Sequence, residues 1–223
     1  MLRIAITAGE PAGIGPELAP GALAADLPFV WLGDPAHLPP GTPWQEVSTL
    51  SDPLPTGGLT VLPHRFAAPN RPGQPDPANA ADVVAVITRA VELCMTGEAA
   101  AICALPISKE ALKTGADFPF PGHTEFLAHL AGGADVAMML ASTGVQPPCR
   151  VVPATIHMAL SEVPSAFTPA LLERMIRITE AALRRDFGIA QPRLAIAGLN
   201  PHAGENGVMG HEHMYNGHGR YHH

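Results

Sequence analysis

Positive charge is scarce in this chain. Thirteen lysines and arginines stand against 20 aspartates and glutamates in 223 residues, a formal charge of −7. That balance argues against nucleic acid or an anionic membrane surface as partner, because both reward a net basic surface. A small anion held in a locally positive pocket remains open. Cysteine is scarce too: Cys94, Cys103 and Cys149 are an odd number without CxxC spacing, so neither a disulfide framework nor a thiolate metal site is indicated. No apolar run reaches the roughly 18 residues that a membrane span needs. The opening "MLRIAITAGEP" meets Gly and Pro too soon for a signal-peptide core, so the expected location is the cytoplasm. The GxGxxG fingerprint and the P-loop lysine are also missing. What the chain does have is 47% hydrophobic residues, enough for a real core, and 25 prolines, most of them in connecting segments. It also has 11 histidines, five of them between His211 and His223.

Short apolar or β-branched runs recur along the chain, each followed by a Gly/Pro/polar loop. They are "LRIAIT", "PFVWLG", "AAICAL", "VAMML", "VVPATI" and "RLAIAGL". Between them lie helical patterns. "ANAADVVAVITRAVELCMTG" spaces its apolar residues by three and four and closes on Gly97. "TPALLERMIRITEAALRRDFG" opens on Thr168, places Pro169 at the first helical position and closes on Gly188. Strands alternating with helices predict an α/β fold with a largely parallel sheet. The Pro- and Gly-rich stretch from Thr42 to Asp76 reads as irregular connections or hairpin strands.

Ligands of open parallel sheets bind beyond the carboxyl ends of the strands, which directs attention to the loops there. In "TAGEPAGIGPELA", Gly9, Gly13 and Gly15 permit a tight turn, and Glu17 begins a helix; the stretch is either a structural turn or a ligand loop. "ALPISKEAL" sets Lys109 near a helix start, where it either neutralises a phosphate or carboxylate or is simply solvated. "FPFPGHTEFLAHL" places His123 and Thr124 between a Pro-Gly turn and an apolar helix. Thr124 is a candidate cap. His123 at a helix N-terminus would be held neutral and able to bond a substrate; the alternative is an exposed neighbour of the cap. "VVPATIHMAL" and "LAIAGLNPHAGENG" each run an apolar strand into a histidine, His157 and His202. Two such histidines could share a divalent metal or be hydrogen-bonded structural residues; a catalytic zinc-type site needs about three protein ligands, and no third is evident.

In this order, "ITAGEPAGIGPELA", "LPISKEAL", "FPGHTEFLA", "MML", "ATIHMAL" and "AGLNPHAGENGVMG" resemble the 4-hydroxythreonine-4-phosphate dehydrogenase family of vitamin B6 biosynthesis (PdxA), from about Ile4 to Gly210. "GHTEF" and "LNPHAGE" are the most specific of these stretches. The resemblance implies an α/β/α sandwich like that of isocitrate and isopropylmalate dehydrogenases, which uses no Rossmann fingerprint. It implies oxidation of 4-phosphohydroxy-L-threonine by NAD (or NADP), with loss of the carboxyl group to give 3-amino-2-oxopropyl phosphate. Other four-carbon phosphorylated hydroxy acids, such as threonate or erythronate phosphate, are alternative substrates. It further implies a homodimer with the active site at the subunit interface, and a divalent metal (Zn, Mg or Co) held by three histidines from both subunits. His157 and His202 fall on two of those ligands, His123 and Thr124 on the substrate-contacting pair, and Lys109 on a motif near the active site with a catalytic role. No residue is assigned to the cofactor.

After Gly210 the resemblance stops. Family members run on through a "YHDQG"-like segment with the third metal histidine and through phosphate contacts; "HMYNGHGRYHH" reproduces neither. Residues 1–210 therefore read as the N-terminal two-thirds of such an enzyme, two interleaved α/β lobes lacking a C-terminal part, and 211–223 as a His-rich tail. The tail is a truncation or frameshift product, a short variant using His211, His213 or His218 as replacement ligands, or a solvated end on a catalytically inactive metal-binding remnant. An open apolar sheet edge would follow, with reduced stability or self-association relative to a longer relative.

Overall fold

The computed structural model describes residues 3–25, 27–53, 57–142, 144–202 and 204–210. The tail histidines His211, His213 and His218 fall outside them. Two compact units divide the chain, Met1–Ala134 and Asp135–His223.

The first unit is built on a five-stranded, all-parallel sheet. Its strands are β1 (Arg3–Thr7), β2 (Phe29–Gly33), β3 (Trp44–Glu46), β4 (Leu59–Pro63) and β5 (Ala99–Ala104), in the order β3-β4-β2-β1-β5. Side chains alternate between the faces, as strand geometry demands. Ala5, Val30, Leu32 and Leu62 pack with Val86 and Ala90 of helix α2 (Ala80–Met95) on one face. Ile6, Phe29, Trp31, Leu59 and Val61 pack with Ala19 of helix α1 (Gly15–Gly21) on the other. Helices thus cover both faces, giving the expected α/β sandwich with a parallel sheet. Helix α3 (Lys109–Ala116) and helix α4 (His123–Leu130) join α2 in a third cluster through Leu112, Phe118 and Phe126.

The Thr42–Asp76 stretch does not form a hairpin. It contributes β3 and β4, which pair parallel to each other in the main sheet. Their brevity among prolines and glycines conceals them, but "LTVLP" has its first four residues buried.

The second unit holds a two-stranded antiparallel ribbon, β6 (Leu140–Ser142) with β7 (Cys149–Val151), the short helix α5 (Val163–Ala166) and the long helix α6 (Pro169–Arg185). Thr168 caps α6 by accepting a 3.2 Å hydrogen bond from Leu171 N–H, and Gly188 beyond it takes φ +66. The strands expected at 136–140 and 151–156 survive only as single residues of this ribbon. The one expected at 193–199 is absent: the segment has no ladder partner among the described residues, and Leu194, Ile196 and Leu199 stand 37–38% exposed. An apolar pattern becomes a strand only where a neighbour satisfies its amides. The same segment lies along a cleft of about 660 Å³ lined by Met139, Arg150, Phe167, Met175, Leu183 and Ile196.

Candidate active site

Chain order and sheet order part company at β1. From β1 the chain moves to β2 on one side, out to β3 at the edge, back in to β4, and then crosses to β5 on the other side of β1. The loops after β1 and β5 therefore leave neighbouring strands in opposite directions, the arrangement that opens a crevice at the carboxyl edge. The β1 loop is held tightly there. Ala8 N–H donates to Leu32 O (2.9 Å), Glu10 N–H to Pro106 O (2.8 Å), and Ala12 N–H to the Glu10 carboxylate (3.1 Å). Gly9 has φ +69, and a Cβ there would stand 2.5 Å from Pro106 O; one on Gly15 would meet Ala8 O at 2.3 Å. Only glycine lets the two loops close on each other. Burial pushes the Glu10 carboxyl above its ordinary value, and Asp76 pushes it the same way.

Ser108 ends the β5 loop and caps α3, its Oγ accepting from Ala111 N–H at 3.2 Å. Lys109 is thereby the first residue of α3 and is exposed. Helix α4 begins at His123, and its cap is Gly122 in extended backbone with no side-chain hydrogen bond. Thr124 is not the cap. It sits in the first turn, two residues past the cap position, too late for its hydroxyl to meet the free amides from outside the helix. The cap position is instead a polar crossroads: a methyl group on Gly122 would stand 3.6 Å from Glu125 Oε2 and 3.9 Å from Lys109 Nζ. Glu125 Oε2 and His123 Nε2 are both buried without a hydrogen-bond partner. Burial holds the His123 imidazole below its ordinary value. A cation, a neutral imidazole and a carboxylate oxygen thus gather beside the free amides of α4, a set suited to a ligand carrying both an anionic group and a hydroxyl or amine. Glu125 was not singled out from the sequence; its place inside "GHTEF" was the available signal.

His157 and His202 lie in the second unit, and neither sits at a strand end. His157 follows a loop of bends six residues beyond β7, exposed and at φ +55. His202 opens a compact turn. Its backbone N–H donates to Asn200 Oδ1 at 2.9 Å, Asn200 Nδ2 donates to Met209 O at 2.8 Å, and its Nδ1 lies 2.9 Å from Glu205 Oε1. Its side chain is 57% exposed. An imidazole engaged at Nδ1 and open at Nε2 fits the donor chemistry of a metal ligand. Among the described residues, however, no three His, Cys, Asp or Glu side chains come together to hold an ion.

The chain matches the family described as "Pyridoxal phosphate biosynthetic protein PdxA" over residues 36–215. It is 70% identical over 209 residues to a 4-hydroxythreonine-4-phosphate dehydrogenase of Paracoccus denitrificans, covering 94% of this chain and 65% of that protein. A similarly named protein of Roseobacter denitrificans is 54% identical, with 93% and 64% covered. The chain thus spans about 65% of the length of these curated relatives. Among solved structures, the 4-hydroxythreonine-4-phosphate dehydrogenase of Klebsiella pneumoniae matches with a TM-score of 0.85 at 33% identity, over 96% of this chain and 69% of that one. A terephthalate 1,2-cis-dihydrodioldehydrogenase of Burkholderia xenovorans matches at 0.61 and 27%, over 96% and 66%.

Proposed function

The chain belongs to the PdxA family, and from that premise we propose that its crevice serves the reaction named for its relatives, oxidation of 4-phosphohydroxy-L-threonine with decarboxylation to 3-amino-2-oxopropyl phosphate. The observation that carries this reading is that Lys109 Nζ and Glu125 Oε2 converge on Gly122 at the start of α4, next to His123, whose Nε2 is buried without a partner. Lys109 neutralises an anionic group of the substrate, a phosphate or a carboxylate, next to the α4 amides. His123, neutral at physiological pH, exchanges a hydrogen bond with a substrate oxygen through Nε2, and Thr124 offers its hydroxyl. Glu125 accepts from a substrate amine or hydroxyl through Oε2, a buried oxygen without a hydrogen-bond partner.

His157 and His202 are the residues of this chain that would hold a divalent cation such as zinc, magnesium or cobalt, with the third ligand supplied from outside the described residues. When bound, that cation supplies charge stabilisation to a developing oxyanion, and NAD or NADP supplies the hydride acceptor. A cytoplasmic homodimer completes the reading; among the described residues no helix is long and apolar enough to cross a membrane. A second reading, oxidation of a different hydroxy acid or cis-diol carboxylate, draws on the likeness to the terephthalate dihydrodiol enzyme.

Calorimetric titration tests both readings. The 223-residue chain is expected to bind the phosphorylated hydroxyamino acid, and Lys109→Ala and His123→Ala are each expected to weaken binding on the order of 10-fold, about one lost charged or buried hydrogen bond. Formation of NADH with zinc present reads the reaction itself. Unchanged affinity in both variants would overturn the assignment of the crevice, and binding of a cis-diol carboxylate in preference would favour the second reading.

A further inference from the structure

We infer that Glu205 is the positioning residue for His202: its carboxylate fixes the imidazole in the Nδ1–H tautomer, so that Nε2 carries the lone pair presented to a divalent cation. The inference rests on the reading of His202 as a cation ligand and adds to it the residue that prepares the ligand.

The geometry has three parts. Glu205 Oε1 lies 2.9 Å from His202 Nδ1, and a carboxylate only accepts, so Nδ1 must carry the proton. The carboxylate is brought there by backbone turned against its ordinary preference: Gly204 has φ +70, Glu205 φ +43 and Asn206 φ +59. With Gly207 at φ +93 the run reaches four successive residues of positive φ, two of them not glycine, a costly way to build a turn. The turn is also locked from both ends. Glu205 N–H donates to His202 O at 3.1 Å, Met209 N–H to Gly204 O at 3.0 Å, and Asn200 bridges His202 N–H and Met209 O. The imidazole is exposed, so without Glu205 water would satisfy either nitrogen and both tautomers would be populated. The surrounding contacts therefore fix which nitrogen is free. Orienting partners of this kind set ligand basicity and geometry, and removing one typically weakens metal binding by about 10- to 100-fold.

The test uses the full chain and zinc ions alone. Imidazole nitrogen shifts, assigned with His202→Gln, are expected to show the Nδ1–H form of His202. Glu205→Ala is expected to shift His202 toward a mixture or the Nε2–H form, whereas Glu205→Gln, which keeps an acceptor oxygen, preserves it. Alanine and glutamine meet the same backbone demand at φ +43 as glutamate, and an unchanged amide spectrum verifies the fold. Zinc affinity is expected to fall on the order of 10-fold in Glu205→Ala. No part of that loss is expected in a His202→Ala background, a cycle that removes the contribution of the other histidines. An unchanged tautomer in Glu205→Ala, or an equal zinc loss without His202, would overturn the proposal. If the tautomer shifts as expected while His202→Ala leaves zinc affinity intact, it is the reading of His202 as a ligand that fails.

Discussion

His37, buried, and His123, half-buried, titrate against the fold. Burial lowers the pKa of His37, which is 6% exposed with Nε2 3.2 Å from Ala68 O, and of His123. Each binds its proton more readily in the unfolded chain, where its ordinary value is about 6.5. Stability therefore rises with pH through the window below about 6.5 and is lost as pH falls through it. Glu10 works the other way: its raised value keeps a proton on the folded chain above 4.5, so its contribution falls as pH rises there. The unfolding free energy in urea is expected to rise between about pH 5 and pH 7. The double variant His37→Gln/His123→Gln should flatten that rise, and a slope of the same size in the variant would refute the assignment. At this scale the sequence is a fair guide. Motif position alone marks Lys109, His123 and Thr124 as candidates, and the structure sets Lys109 at the start of α3 and His123 and Thr124 in the first turn of α4. Glu125 was not so marked, since its unpartnered oxygen is a property of packing around Gly122.

Elements were legible where a local pattern specifies them. The 3.6-residue pattern over α2 and the Thr-Pro start of α6 specify helices with little help from tertiary contacts. The run at 193–199 has the composition of a strand and no ladder to join among the described residues, so composition alone misleads. Parallel β3 and β4 escaped for the opposite reason: at three and five residues they are too short to announce the ladder they join, and turn-rich surroundings suggest a hairpin. The cap of α3 offers a sharp test. Ser108→Ala removes the acceptor for Ala111 N–H and is expected to cost about 1 kcal/mol. Hydrogen exchange should localise the change to the first turn, 109–112, because Lys109 takes its position from that cap. Equal protection in wild type and variant would show that the cap does not hold the turn.

Over the whole molecule, packing is unequal. Of the buried apolar residues described, only Met175 and Leu183 lie beyond residue 134, whereas Leu140, Val151, Leu160, Phe187 and Val208 are exposed. Buried contacts resist local opening, and their lack permits it. Dilute protease is expected to cut first within 135–210 and to leave a resistant fragment of the first unit. The chain is also expected to self-associate as concentration rises, seen by sedimentation, because apolar patches of this kind seek cover. Even cleavage across both units would contradict this picture. Within the loosely packed part, the turn from Asn200 to Met209 is an exception, since its hydrogen bonds span nine residues or fewer. Its shape is written almost entirely in its own ten letters. That makes it portable: spliced into an unrelated scaffold or closed into a cyclic peptide, it carries with it the instructions for aiming one imidazole.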